Sequence, residues 1–330
     1  MFLLGMNRRF IVALFALALP LAVRATVSAT LPLPADWYPE SVAVGPDGSF
    51  YVGSWRQGAV ARVRPGAVAP EILVKPGANG LANAQGVLID AAQGLLWVCS
   101  GSLGFTTVPM TPSALKSYDL ATGAPRNSYP MPDKGYCNDL AQDSHGTIYV
   151  TDSLHPRILR LRPQDHALDV WKEDPDFAQG QEGYDLNGIA LDGDDTLYVS
   201  AVAAEPYLWR IAVQHDGRAG AAVRVAMPRI LKNADAIRRV GHHALAIFES
   251  DAFGRDQPYG GQISLVHLEG DRAASLDTLV RGLNDPSSGV PSHGRLYFIE
   301  SKYDLLLSHK NNPAAVPTLV PFDLQSVVLP

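Results

Sequence analysis

The chain has 330 residues, with 47% hydrophobic and 18% charged side chains and a formal charge of −6 at pH 7. That is ordinary globular composition, long enough for one large domain or two average ones. The acidic balance excludes a nucleic-acid-binding surface as the main function.

Residues 1–29 read as a signal peptide. Arg8 and Arg9 form a basic start, and an apolar run from Phe10 to Val23 follows, shorter than a comfortable membrane span. Small residues at Val23-Arg24-Ala25 and Val27-Ser28-Ala29 suit cleavage, and an uncleaved anchor is the alternative. Removing this segment takes away three arginines and no acids, so the mature charge becomes −9. The expected address is the periplasm or the outside of the cell, with no membrane contact after cleavage.

The proline-rich stretch from Thr30 to Pro39 leads into the first of six similar units and is a candidate outer strand closing the structure. The units open at Glu40 (ESVAVGPDGSFYVGS), Gln85 (QGVLIDAAQGLLWVCS), Asn138 (NDLAQDSHGTIYVTDS), Asn187 (NGIALDGDDTLYVSA), Asp235 (DAIRRVGHHALAIFES) and Asp285 (DPSSGVPSHGRLYFIES). Each reads as strand, tight turn, strand. Basic-apolar alternation then marks a third strand, as in Arg157-Ile158-Leu159-Arg160-Leu161. A fourth follows, as in Glu71-Ile72-Leu73-Val74. Steps of 45, 53, 49, 48 and 50 residues between strand-built repeats are the signature of propeller blades. The predicted fold is all-β: residues 30–330 form a single six-bladed β-propeller of four-stranded antiparallel blades around a central channel. No helix longer than the signal peptide is expected.

Strand direction places the long loops on the face where the first strands begin. These are residues 101–117, 174–186 and 251–261. Loops gathered on one face of a rigid scaffold commonly carry the binding site. Phe105, Met110 and Phe253 are candidates for an apolar lid, or for loops packed on one another. Cys99 ends the second strand of blade two and Cys137 precedes the first of blade three. They are either a disulfide or two buried thiols.

The opening residues Glu40, Gln85, Asn138, Asn187, Asp235 and Asp285 are all carboxylates or side-chain amides, and a propeller converges them on its axis. Six oxygen donors suit a hard divalent cation. The absence of His and Cys from the ring argues against a dedicated zinc site. Turn capping is the plain alternative for Asn and Asp, weakest for Glu40. Asp152, Glu249 and Glu300 end second strands beside these openings, as pocket walls or as solvated surface. His242-His243, His145 and His293 fall in hairpin turns on the opposite face.

The repeats resemble the regucalcin/gluconolactonase family of six-bladed propellers and, more distantly, the serum paraoxonases. The residues that carry the likeness are YPESVAVGPDG, CNDLAQDSHGTIYV, LNGIALDGDDTLYV and NADAIRR. The resemblance implies one divalent ion, calcium first and magnesium, manganese or zinc otherwise. Glu40, Asn187, Asp235 and Asn138 would hold it. It further implies Asp235 as catalytic base and Asn138 in substrate binding; Gln85 and Asp285, the remaining openings of the ring, are candidate substrate contacts from their position. The activity implied is that of an exported metal-dependent lactonase or related esterase acting on a small lactone. The chain departs from the family at Ser41-Val42, where Gly-Pro is usual, and at Ala236, where paraoxonases have Asn. No position matches their catalytic His. The competing reading is a non-catalytic propeller that binds a small ligand or a protein on its top face. A strictosidine-synthase-like, metal-free propeller is disfavoured by the acidic ring.

Overall fold

The computed structural model describes residues 27–178, 185–202, 207–250 and 260–330. Six four-stranded antiparallel sheets form a propeller. Blade one contains Pro39–Val44, Phe50–Ser54, Ala59–Val63 and Glu71–Val74 from axis to rim. The inner strands of the next four blades are Asn83–Asp90, Cys137–Gln142, Leu186–Asp192 and Ala234–Gly241. The sixth blade is composite: Pro286–Ser292, Arg295–Glu300 and Asp323–Val328 are completed at the rim by Ser28–Pro32 from the start of the chain. A closing strand is therefore present, at Ser28–Pro32, earlier than the expected stretch from Thr30 to Pro39, of which Pro39 opens the blade-one inner strand. It begins two residues inside the predicted signal peptide, of which residues 1–26 lie outside the described residues.

Why these segments form strands is visible in their burial. Val42, Val52, Ala61 and Val63 of blade one are buried with Trp37, Trp55 and Phe322 in a cluster that includes Ile299 and Leu324 of blade six. Equivalent clusters sit between successive blades. A blade is apolar on both faces, so it is stable only when sandwiched by its neighbours. Cys99 and Cys137 form a disulfide with Cα atoms 5.1 Å apart, joining blades two and three.

All six inner strands are irregular near their start, with register breaks between Pro39 and Val42, Ala84 and Val87, Cys137 and Leu140, Leu186 and Ile189, Ala234 and Ile237, and Pro286 and Ser288. A bulge releases residues from the ladder and re-aims their side chains. In five blades the residues so released include Glu40, Gln85, Asn138, Asn187 and Asp235. In blade six the released residue is Ser287. Asp285, expected to complete the ring, lies one residue before Pro286 and aligns with Tyr38, the residue before Pro39. Both adopt positive φ, 54° at Asp285 and 42° at Tyr38.

The inner strands crowd at this level. A Cβ on Gly86 would lie 2.8 Å from the Asn138 carbonyl oxygen, and one on Gly188 would lie 2.5 Å from that of Asp235. Only glycine fits after Gln85 and Asn187, which explains the Gln-Gly and Asn-Gly pairs in the repeats.

Candidate active site at the channel mouth

Backbone groups freed by the bulges are tied down by hydroxyls from the preceding blade. Thr151 Oγ1 donates to the Asn187 carbonyl at 2.7 Å, Ser200 Oγ to that of Asp235 at 3.1 Å, and Ser287 Oγ to that of Glu40 at 2.8 Å. The main chain of three predicted site residues is thereby fixed, since buried carbonyls need a partner.

The side chains form an acidic, buried cluster. Glu40 and Asp235 are 6% and 4% exposed. Burial, reinforced by Asp235 and Asp139, pushes the Glu40 carboxyl well above the usual carboxylate range. Burial, with Asp139 and Asp285, does the same to Asp235, opposed by a hydrogen bond from Asn187 and by Arg238. Among the described residues no lysine or arginine forms an ion pair with either carboxylate; Arg238 is paired with Asp139 instead. Asn138 donates its Nδ2 to Ser153 Oγ at 2.8 Å, and its buried Oδ1 is left without a partner. Gln85, 2% exposed, has an unpartnered Nε2.

This donor set fits a hard divalent cation. Two buried carboxylates have no ion-paired cation among the described residues, one amide oxygen is orphaned by the bond that orients its nitrogen, and Asn187 lies against Asp235. Gln85 is released by the blade-two bulge as these residues are by theirs, and its buried Nε2 is a donor without a partner. Asp285 is fully buried and turned elsewhere, accepting from Ser250 Oγ at 3.0 Å and from the Asp304 amide at 3.3 Å. Its charge still reaches Asp235, but its carboxylate anchors the insertion that follows Ser301, and nothing in these contacts presents it to a substrate.

That insertion was not foreseen. Residues 301–322 separate the second and third strands of blade six and contain the helix Tyr303–Leu307. Tyr303 is buried against Trp55, edge-on with ring centroids 5.0 Å apart, and its phenol feels the charges of Asp235 and Glu40. Below the ring, Arg238 and Asp139 cross the channel. Neither they nor Tyr303 could be picked out from the repeats. Tyr303 lies in an insertion after the second strand of blade six, outside the repeated hairpin, and the channel pair joins positions 99 residues apart.

Other predicted features fall into structural roles. Asp152 accepts from Arg157 Nε at 2.9 Å and the Tyr136 amide at 2.8 Å. Glu249 takes both Arg229 terminal nitrogens, at 2.7 and 2.8 Å, with Ser264 and Gln262. Glu300 accepts from Gln325 Nε2 at 2.5 Å and from the Asn284 amide. Asp152 and Glu249 are fully buried anchors, and the half-buried Glu300 ties the Asn284 loop to the strand that carries Gln325. Phe105 packs on the blade-one cluster while Met110 is 45% exposed, so these two do not close as one lid. Phe253 and most of loop 251–261 lie outside the described residues, as do residues 179–184 of loop 174–186.

His242 and His243 occupy a hairpin turn, as expected. Their ring nitrogens and an Asp192 oxygen lie within 4.8 Å of one another, a spacing that a metal ion could use. Arg239 Nε already donates to Asp192 Oδ1 at 2.7 Å, so the carboxylate there has its counter-charge. A cavity of about 470 Å³, lined by Tyr207, Arg224, Met227 and Arg229, sits near the outer strand of blade four. None of the ring residues lines it.

No family model matches the chain, and no curated protein matches it in sequence. Solved structures do. A gluconolactonase from Xanthomonas campestris superposes with a TM-score of 0.63 at 18% identity, over 93% of this chain and 90% of that chain. A putative gluconolactonase gives 0.61 at 16%, over 93% and 92%. A luciferin-regenerating enzyme gives 0.61 at 11%, over 92% and 95%. The chain shares the propeller fold of these proteins. At these identities the likeness is one of architecture, and chemistry has to be argued from the channel mouth itself.

Proposed function

We propose that the protein is an exported, divalent-cation-dependent hydrolase of the lactonase type, opening a small lactone at the channel mouth. The observation that carries this reading is the buried pair Glu40 and Asp235, without an ion-paired cation among the described residues, beside the orphaned Asn138 Oδ1. Glu40, Asp235, Asn187 and Asn138 would hold the ion, calcium first on the all-oxygen donor set. A bound divalent ion supplies Lewis-acid polarisation of an ester carbonyl.

The chain's own residues supply the rest. Asp235 accepts the proton of the attacking water through a carboxylate oxygen and returns it to the ring oxygen as the acyl–oxygen bond breaks. Asn187 orients that carboxylate through its hydrogen bond. Asn138 and Gln85 flank the bound lactone, and the Gln85 Nε2 donor is available to a ring oxygen. A lactone suits such a site, because ring opening keeps the leaving oxygen attached to the acyl group and needs no second binding pocket. The disulfide Cys99–Cys137 supports export, since disulfides persist in oxidising compartments.

The test is calorimetric titration of the chelator-stripped protein with Ca²⁺, Mg²⁺, Mn²⁺ and Zn²⁺, followed by a lactone and ester screen. Binding at one site, lost in Asp235→Ala, together with cation-dependent lactone hydrolysis, is the expected result. Cation binding without turnover of any lactone or ester would leave a non-catalytic binding propeller. Failure of the wild type to bind any of the four ions would remove the reading altogether.

A further inference from the structure

Blade six departs from the ring pattern and offers a chain of hydroxyls in its place. Ser287 stands where the other blades carry a carboxylate or an amide, and its Oγ donates to the Glu40 carbonyl at 2.8 Å. Ser301 Oγ reaches the Pro39 carbonyl and Ser287 Oγ, each at 2.5 Å. The Tyr303 hydroxyl hydrogen-bonds with both serines. These three side chains and both carbonyls are buried: Tyr303 is 2% exposed, Ser287 1% and Ser301 0%. Two of the contacts end on Pro39 and Glu40, the residues at the break in the blade-one inner strand.

Tyr303 has little freedom to be elsewhere. Its ring packs edge-on against Trp55. The first turn of its helix is held by Asp285, which accepts from the Asp304 amide. The Ser301 amide donates to the Asp285 carbonyl at 2.8 Å. Asp285 and the insertion thus present one phenol to one strand start, and that strand start carries Glu40.

We propose that Tyr303 is a positioning residue for the cation site, holding the Glu40 segment through Ser301 and Ser287. This inference rests on the cation reading above and adds residues that the ring of acids and amides does not contain. A residue that fixes a ligand's backbone acts on affinity as second partners of metal ligands do, where removal weakens binding about 10–100-fold.

The test compares wild type with Tyr303→Phe, which keeps the ring against Trp55 and deletes only the hydroxyl. Ca²⁺ affinity is read by calorimetry. Tb³⁺ binding is read by luminescence, and melting is followed in chelator. The expected result is Ca²⁺ and Tb³⁺ binding weakened about 10-fold or more at unchanged melting temperature. Ser287→Ala, a smaller change, should weaken both ions in the same direction and serves if Tyr303→Phe does not fold. Wild-type affinity in a folded Tyr303→Phe or Ser287→Ala protein would overturn the proposal while leaving the cation reading intact. A wild type that binds neither ion would overturn both.

Discussion

Asp139 and Arg238 meet across the channel, 99 residues apart in sequence, with Nη1 2.6 Å from Oδ2 and Nη2 3.1 Å from Oδ1. Arg238 Nη2 also donates to Ser288 Oγ at 3.0 Å, and Asp139 Oδ2 accepts the Ile189 amide at 3.2 Å. One ion pair therefore links blades three, four, five and six just below the ring. The side chains are 5% and 16% exposed, so most of the pair is out of water. Breaking a buried pair from one side strands a charge and costs about 3–5 kcal/mol, whereas neutralising both sides costs less. Arg238→Met should lower unfolding stability by that order in urea titrations with chelator present. Asp139→Asn with Arg238→Gln should recover most of the loss. Equal stability of the single and double variants would show that the two side chains are not energetically coupled.

The acidic ring makes a signed prediction about pH. In the folded protein Glu40 and Asp235 hold their protons well above the usual carboxylate range, because burial and neighbouring acids disfavour their charge. An unfolded carboxyl ionises near pH 4. Above that pH the cation-free folded state binds more protons than the unfolded state, so these two groups make stability fall as pH rises. Their contribution is complete below the unfolded value and disappears as the pH passes the folded one. A divalent ion binds the ionised form and should reverse the trend. Melting curves of chelated wild type minus those of Glu40→Gln/Asp235→Asn should decline from about pH 4 upward. With saturating Ca²⁺ the difference should grow with pH. A flat difference in both conditions would mean that the two carboxyls do not titrate in this way.

The limits of reading the sequence are physical. Hairpins were legible because alternation and turn glycines are local, and six copies pointed to the fold and to five opening residues that lie at inner-strand bulges. Asp285 misled because blade six places an acid two residues before its bulge, where an alignment of strand starts cannot separate it from Ser287. Tyr303 was invisible because an insertion has no repeat to be compared with. Asp139 stands beside Asn138 in the quoted motif, yet its role depends on a guanidinium from another blade. Asp152, Glu249 and Glu300 looked like pocket walls because strand ends lie near the mouth; whether such an acid faces solvent or a loop depends on Arg157 and Gln325 on other strands and on Arg229 in a loop.

The disulfide makes a separate prediction. Cys99 and Cys137 are 38 residues apart in sequence. On the chain-entropy account, closing such a loop stabilises the fold by about 4 kcal/mol. Cys99→Ala/Cys137→Ala, or the wild type under dithiothreitol, should unfold at lower urea concentration by an amount of that order. Both cysteines lie in the cluster between blades two and three and neither is a ring residue, although Cys137 precedes Asn138; Ca²⁺ affinity should be unchanged in the folded variant. A loss of affinity equal to that of Asp235→Ala would instead place the bridge among the determinants of the site.

The closing strand constrains where an exported chain can be cut. Ser28 pairs with Ser326 and Ala29 with Gln325, so cleavage after Ala29 would delete two of the four paired positions of that strand. Cleavage after Ala25 would leave Ser28–Pro32 whole. An unpaired strand Asp323–Val328 at the rim would be an open edge, which destabilises a propeller and invites association. Intact-mass analysis of exported protein should therefore find Thr26 at the amino terminus. A chain lacking residues 1–25 should melt as that protein does. One lacking residues 1–32 should melt lower and aggregate, and equal melting of these two chains would mean that the composite blade does not depend on its fourth strand.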